Sequence, residues 1–205
     1  MKCPIPGTVT LRKVTMSRKT RFRFALIAVA AGFFSLLPAY LQAFTISGPS
    51  DAPTLLLGDR VIVNKAAYVV GVPHRGDLVL FRVPNRNTLG VKRIVGLPGE
   101  SVEVVENAVW INGHPLSYVT RSPADFAWVP PVHRLGSQIE VEQGLGLDHF
   151  VTYSPQGSAL RNAPLLKIPA GQYFLLGDHR DNSNDSRVFG TAPVNLILGK
   201  VIYKL

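Results

Sequence analysis

Residues 24–41 read FALIAVAAGFFSLLPAYL, an uncharged run of 18 residues. Gln42, Ala43 and Phe44 extend it to 21 without adding a charge. As a helix rising about 1.5 Å per residue, the extended run is roughly 30 Å long, the thickness of a bilayer core. Pro38 falls in its last third, where a kink is tolerated in a spanning helix. The flanks are asymmetric. Lys2, Arg12, Lys13, Arg18, Lys19, Arg21 and Arg23 precede the run, and no acid does. This positive-inside pattern predicts a cytoplasmic N-terminus (1–23), a transmembrane anchor (24–44) and an extracytoplasmic remainder. A cleaved signal is the alternative, but Leu41-Gln42-Ala43 opens with a bulky residue where a small-x-small cleavage site needs a small one. The expected location is therefore the cytoplasmic (inner) membrane, crossed once, with the lipid bilayer as a partner.

The charge balance limits the rest. The chain of 205 residues carries a formal charge of +9, and seven of those charges lie before the apolar run. The remainder of the chain is close to neutral, which disfavours a nucleic-acid-binding domain. Hydrophobic residues make up 46% of the chain, which excludes a disordered protein. The one cysteine, Cys3, precedes the run, so the exported part has no disulfide. Histidines 74, 114, 133, 149 and 179 show no metal-ligand spacing, and no cofactor motif is present.

Residues 60–205 lack a helical apolar period of useful length and show short alternating or apolar runs between turn residues. The predicted strands are 60–64, 77–83, 91–95, 101–106, 108–111, 172–176 and 200–204. A hairpin is expected around Asn107, closed by Asn112-Gly113. Residues 114–170 are richer in Pro, Ser and loop-like polar clusters, with weaker strands near 139–141 and 149–153. They read as an insertion or second lobe between two parts of one domain, 45–113 and 171–205. The fold class expected is mainly β and antiparallel, behind one N-terminal helix, with a small β-rich insertion.

Three segments carry candidate chemistry. Ser50 begins SDAPTL just past the apolar run. Lys92 begins KRIVGLPGE, in a strand-like segment. Gly177 begins GDHRDNSNDSR. No Gly-x-Ser-x-Gly elbow and no phosphate-binding glycine loop occurs. A serine is a poor nucleophile until a neighbour takes its proton. A lysine can take it only as the free amine, and burial penalises the ammonium. Lys92 between Val91 and the pair Ile94 and Val95 suits that. Arg93 should face the other side of its strand.

In these three segments, taken in order behind an anchor, the chain resembles the type I signal peptidase family. The resemblance covers 24–113 and 171–205, and its last segment is the most specific. It implies a coiled β-barrel serine endopeptidase with a Ser/Lys dyad and no metal or other cofactor. Ser50 matches the nucleophile and Lys92 the general base. Ser183 matches a residue that hydrogen-bonds and orients the lysine. Asp185 and Arg187 match a structural ion pair, and Asp178, Arg180 and Asp181 order the loop. Asp51, Pro53, Leu55 and Val91 are expected at the substrate pocket. The partners implied are exported preproteins, cut after a small-x-small segment. Alternatives are a peptidase dedicated to one substrate, such as a pilin or conjugation-related protein, and a weakly active homologue that binds exported chains. Three departures bear on this. Asp51 stands where the family usually has methionine, Gly48 where it often has a serine that donates to the oxyanion, and Gly90 where it often has an aromatic residue.

Overall fold

The computed structural model describes residues 40–130 and 137–205. The basic N-terminus and residues 24–39 of the expected anchor lie outside them. Fourteen strands run through the described residues: β1 (Leu41–Thr45), β2 (Arg60–Asn64), β3 (Leu78–Arg82), β4 (Leu89–Gly96), β5 (Ser101–Val105), β6 (Ala108–Ile111) and β7 (His114–Pro115), then β8 (Ser117–Thr120), β9 (Gln138–Gly144), β10 (Leu147–Tyr153), β11 (Ala163–Lys167), β12 (Gln172–Leu176), β13 (Ala192–Pro193) and β14 (Ile197–Lys204). Two four-residue helices, α1 (Ala67–Val70) and α2 (Ser186–Phe189), are interspersed.

All ladders are antiparallel. The main sheet has the order β1-β2-β14-β3-β4-β12-β13. A second sheet is β11-β5-β6-β7 and a third is β10-β9-β8. Alternation explains strands β2 and β5. Val61 and Val63 of β2, and Val102 and Val104 of β5, point inward while their neighbours face outward or lie half-buried. The turn between β5 and β6 places Glu106 and Asn107 at positive φ, as a tight two-residue hairpin requires. Strand β4 differs, because every residue from Val91 to Gly96 is buried. It lies between β3 and β12 with both faces covered, so Lys92 and Arg93 are buried on opposite faces. Gly96 has no room for a side chain, since a Cβ there would lie 2.7 Å from Val102 Cγ2 and 2.8 Å from Phe174 Cβ.

Two expectations are revised. The anchor was expected to end at Phe44, but residues 41–44 belong to β1, paired from Leu41 with Asn64 to Thr45 with Arg60. An apolar edge strand directly after an apolar run has no hydropathy boundary, which is why the two merge in the sequence. Among the described residues no helix is long and apolar enough to cross a membrane.

The second revision concerns 114–170. Leu116, Leu147, Ala163 and Ile168 share one core with Val95, Val102, Phe174 and Leu176. Strand β11 pairs with β5, and β7 with β6. The segment is thus joined to its flanks through a sheet and a common core. Strands β8 and β11, which the sequence did not suggest, are mostly exposed and lack a clear alternation.

Candidate functional site

Ser50 sits in a loop closed at its base by Ile46 and Asp59. Ile46 N–H donates to Asp59 O at 2.8 Å and Gly58 N–H to Ile46 O at 2.9 Å. The Asp59 carboxylate accepts from Leu56 N–H at 2.6 Å. The third segment pins the loop from the other side, with His179 N–H donating to Ser50 O at 3.1 Å. Gly177 makes this approach possible, because a Cβ there would collide with Ser50 O and the Ser183 side chain.

Lys92 reaches Ser50 from β4. Its Nζ lies 2.6 Å from Ser50 Oγ, 2.6 Å from Val91 O and 3.1 Å from Asp51 Oδ2. Ser50 Oγ also lies 2.8 Å from Asp51 Oδ2. Lys92 is 4% exposed and Asp51 2%. Asp51 is therefore part of the constellation rather than a wall of the pocket alone. Ser183, expected to orient the lysine, is buried, and its Oγ has no hydrogen-bond partner among the described residues. Three other oxygens already surround Lys92 Nζ, and Ser183 packs toward Gly177 instead.

On the other face of β4, Arg93 forms a two-pronged pair with Asp178, at 2.8 and 2.6 Å, and donates to Gly76 O at 2.8 Å. Thr54 Oγ1 donates to the same carboxylate at 2.5 Å. Burial alone would push Asp178 up, but the charge and hydrogen bonds of Arg93, helped by Thr54, hold it down to about 2. This pair ties the serine loop to the lysine strand and the third segment. Asp185 and Arg187 form the expected ion pair at 2.7 Å, and Asp185 also accepts from Gly177 N–H at 3.1 Å.

Sequence reasoning missed the partners supplied by 114–170. Arg180 is fully enclosed and meets Glu142 of β9 in a two-pronged pair at 2.6 and 2.8 Å. Tyr118 Oη donates to Glu142 at 2.7 Å. Asp181 pairs with Arg161 at 2.9 Å. No sequence signal marks Glu142, because a glutamate in an alternating strand reads as solvent-facing.

His149 of β10 lies 3.5 Å from Glu142 and 3.6 Å from Asp178, but burial pushes it down from 6.5 to about 4 against the pull of those acids. At neutral pH it is uncharged and these contacts are not ion pairs. The unfolded chain binds the proton first, so the stability held by neutral His149 is complete above about pH 6.5 and is lost as pH falls toward 4. The expected cost is about 3 kcal/mol. Urea melts at pH 7 and pH 4 should show it, and His149→Gln should remove most of the difference. An equal loss in His149→Gln would assign the acid sensitivity elsewhere.

A groove of about 260 Å³ runs past the serine. One wall is Phe44 to Gly48 and the other Leu89 to Lys92, with Ser50 and Asp51 between. Of the expected pocket residues, Asp51 and Val91 line it. Pro53 and Leu55 are buried, and Leu55 belongs to the core with Ile46, Val61 and Leu80. No cluster of metal-ligating side chains occurs among the described residues.

Comparison with known proteins places the chain in a family. A family model described as "Signal peptidase, peptidase S26" matches residues 18–205. A signal peptidase I from Leptolyngbya laminosa is 32% identical over 173 residues, covering 80% of this chain and 68% of that protein. Signal peptidase IB from Staphylococcus aureus (strain COL) is 33% identical over 184 residues, covering 87% and 86%. A solved signal peptidase I from Enterococcus faecalis V583 is 27% identical, with a TM-score of 0.40, and covers 65% of this chain and 99% of that one. By the extent of the family match, and by relatives covered over most of their length, the chain belongs to the signal peptidase family, peptidase S26, and is a hydrolase of that kind.

Proposed function

We propose that this enzyme is a membrane-anchored serine endopeptidase that removes signal peptides from exported preproteins, with Ser50 as nucleophile and Lys92 as general base. The observation that carries this reading is the 2.6 Å contact between Lys92 Nζ and Ser50 Oγ inside a buried site. In the reaction, the Ser50 hydroxyl attacks the scissile carbonyl and its proton passes to the Lys92 amine. Lys92 then gives that proton to the departing amine, leaving an acyl-enzyme on Ser50. Water, deprotonated by Lys92, releases the acid and restores the serine. The backbone N–H of Ser50 serves the developing oxyanion.

The groove supports an extended substrate. One wall is the β4 segment Leu89 to Lys92, the other begins at the end of β1, and β12 pairs with β4 only from Arg93 onward. That leaves one side of Leu89 to Lys92 open to a peptide bound as an added strand. A membrane position also fits. With β1 taking over at Leu41, residues 24–40 still give 17 uncharged positions, within the range that spans a bilayer. The catalytic unit then begins at the extracytoplasmic surface, where signal peptides emerge. The test is cleavage of a preprotein by the full chain in detergent, with the product's new N-terminus sequenced. A cut elsewhere than after a small-x-small segment, or no cut, would reject the substrate assignment.

A further inference from the structure

Within the Ser50/Lys92 reading, the valence of Lys92 leaves one question open: what aims its lone pair. A free amine has two N–H donors and one lone pair. Three oxygens surround Nζ: Val91 O and Ser50 Oγ at 2.6 Å, and Asp51 Oδ2 at 3.1 Å. The Val91 carbonyl can only accept, and so can an ionised Asp51. Each takes one N–H. The lone pair is then left for the remaining neighbour, the Ser50 hydroxyl, which is the one group that must give up a proton. With Val91 alone, the amine could turn about Cε–Nζ and lose that aim. Ser183 does not help, because its Oγ has no hydrogen-bond partner among the described residues.

We propose that Asp51 is the positioning residue of Lys92, filling the place that the resemblance gives to Ser183, and that its charge sets the pH range in which the site works. When Lys92 is an ammonium, all three oxygens accept from it and the Ser50 hydroxyl donates to Asp51 at 2.8 Å. When the ammonium loses one proton to solvent, that hydroxyl turns to the lone pair. An adjacent carboxylate favours the ammonium and so moves the active form to higher pH. The other charges facing the pair are Asp178, held by Arg93, then His149 and Glu142 beyond it, the latter held by Arg180. Burial raises the proton affinity of Asp51 against the opposing charge of Lys92.

The experiment is the pH profile of kcat and KM for preprotein cleavage by the full chain in detergent, for wild type and three variants. Asp51→Ala removes acceptor and charge, and is expected to lower kcat about 100-fold with KM little changed. Asp51→Asn keeps an acceptor and drops the charge. It should recover most of kcat, with the rising limb of the profile shifted to lower pH. Ser183→Ala should lower kcat less than Asp51→Ala does. Wild-type kcat in Asp51→Ala overturns the proposal. So does an Asn variant as impaired as Ala with an unmoved limb, which would mean a packing role only. If Asp51→Ala fails to fold, the position of the limb in Asp51→Asn decides alone. Failure of the dyad reading is distinguishable, because Lys92→Ala would then stay active whatever Asp51 does.

Discussion

Ser50→Ala is expected to lower kcat/KM for preprotein cleavage by about 10⁵-fold or more, because no other group can form the acyl bond. Lys92→Ala is expected to cost about 10²–10⁴-fold, the usual contribution of a general base. The double variant should be no worse than Ser50→Ala, since base and nucleophile act as a unit. Lys92→Arg should be as inactive as Lys92→Ala. A guanidinium keeps its proton throughout the working range, so it fills the space without accepting one. Each measurement needs a melting curve beside it, because removing Lys92 leaves Asp51 buried with a weaker partner set. Turnover that survives Ser50→Ala would remove the serine from the mechanism. Turnover that survives both lysine variants would remove the base and leave the serine in place.

Glu142→Leu is expected to destabilise the fold by about 3–5 kcal/mol, the largest stability effect of any single substitution considered, because it strands a buried guanidinium. Arg180 and Glu142 are both fully buried, with two hydrogen bonds between them. Arg180→Met should cost a similar amount, by stranding the carboxylate. The double variant should recover much of the loss, since two apolar side chains need no partner. Urea unfolding of the four proteins closes the cycle and gives the coupling energy directly. Additive losses would show that the pair is not a unit. The same cycle tests whether 114–170 supports the site. Arg180 lies two residues from Asp178, which holds Arg93, so Glu142→Leu should also lower activity below its own loss of folded protein.

The parts of the fold legible in the sequence are those with a local signature. Strands β2, β5 and β6 alternate cleanly because one face of each is buried and the other is not. The turn at Glu106-Asn107 announces itself through Asn107, a residue type that tolerates positive φ. Strand β1 was hidden, since its first four residues continue an apolar run and acquire their role only by pairing with β2. Strands β8 and β11 were hidden for the opposite reason, as they bury too little to impose a pattern. In the site, Ser50, Lys92, Asp185 and Arg187 were named from the motif segments, whereas Glu142 and His149 carry no motif at all.

The sequence by itself determined which chemical groups are available, that the chain after the apolar run is mainly β, and where the charge asymmetry lies. Those properties depend on residue type and on neighbours within a few positions. Only the tertiary structure decided that Asp51 grips Lys92 while Ser183 does not, that Pro53 is buried and Leu55 belongs to the core, and that Glu142 closes over Arg180. Ser50 and Lys92 are 42 residues apart, and Arg180 and Glu142 38 apart. Contacts across such separations are set by sheet register and by which faces are covered. A strand such as β4, covered on both sides, buries two adjacent cations in different surroundings, and no local pattern encodes which partner each will find.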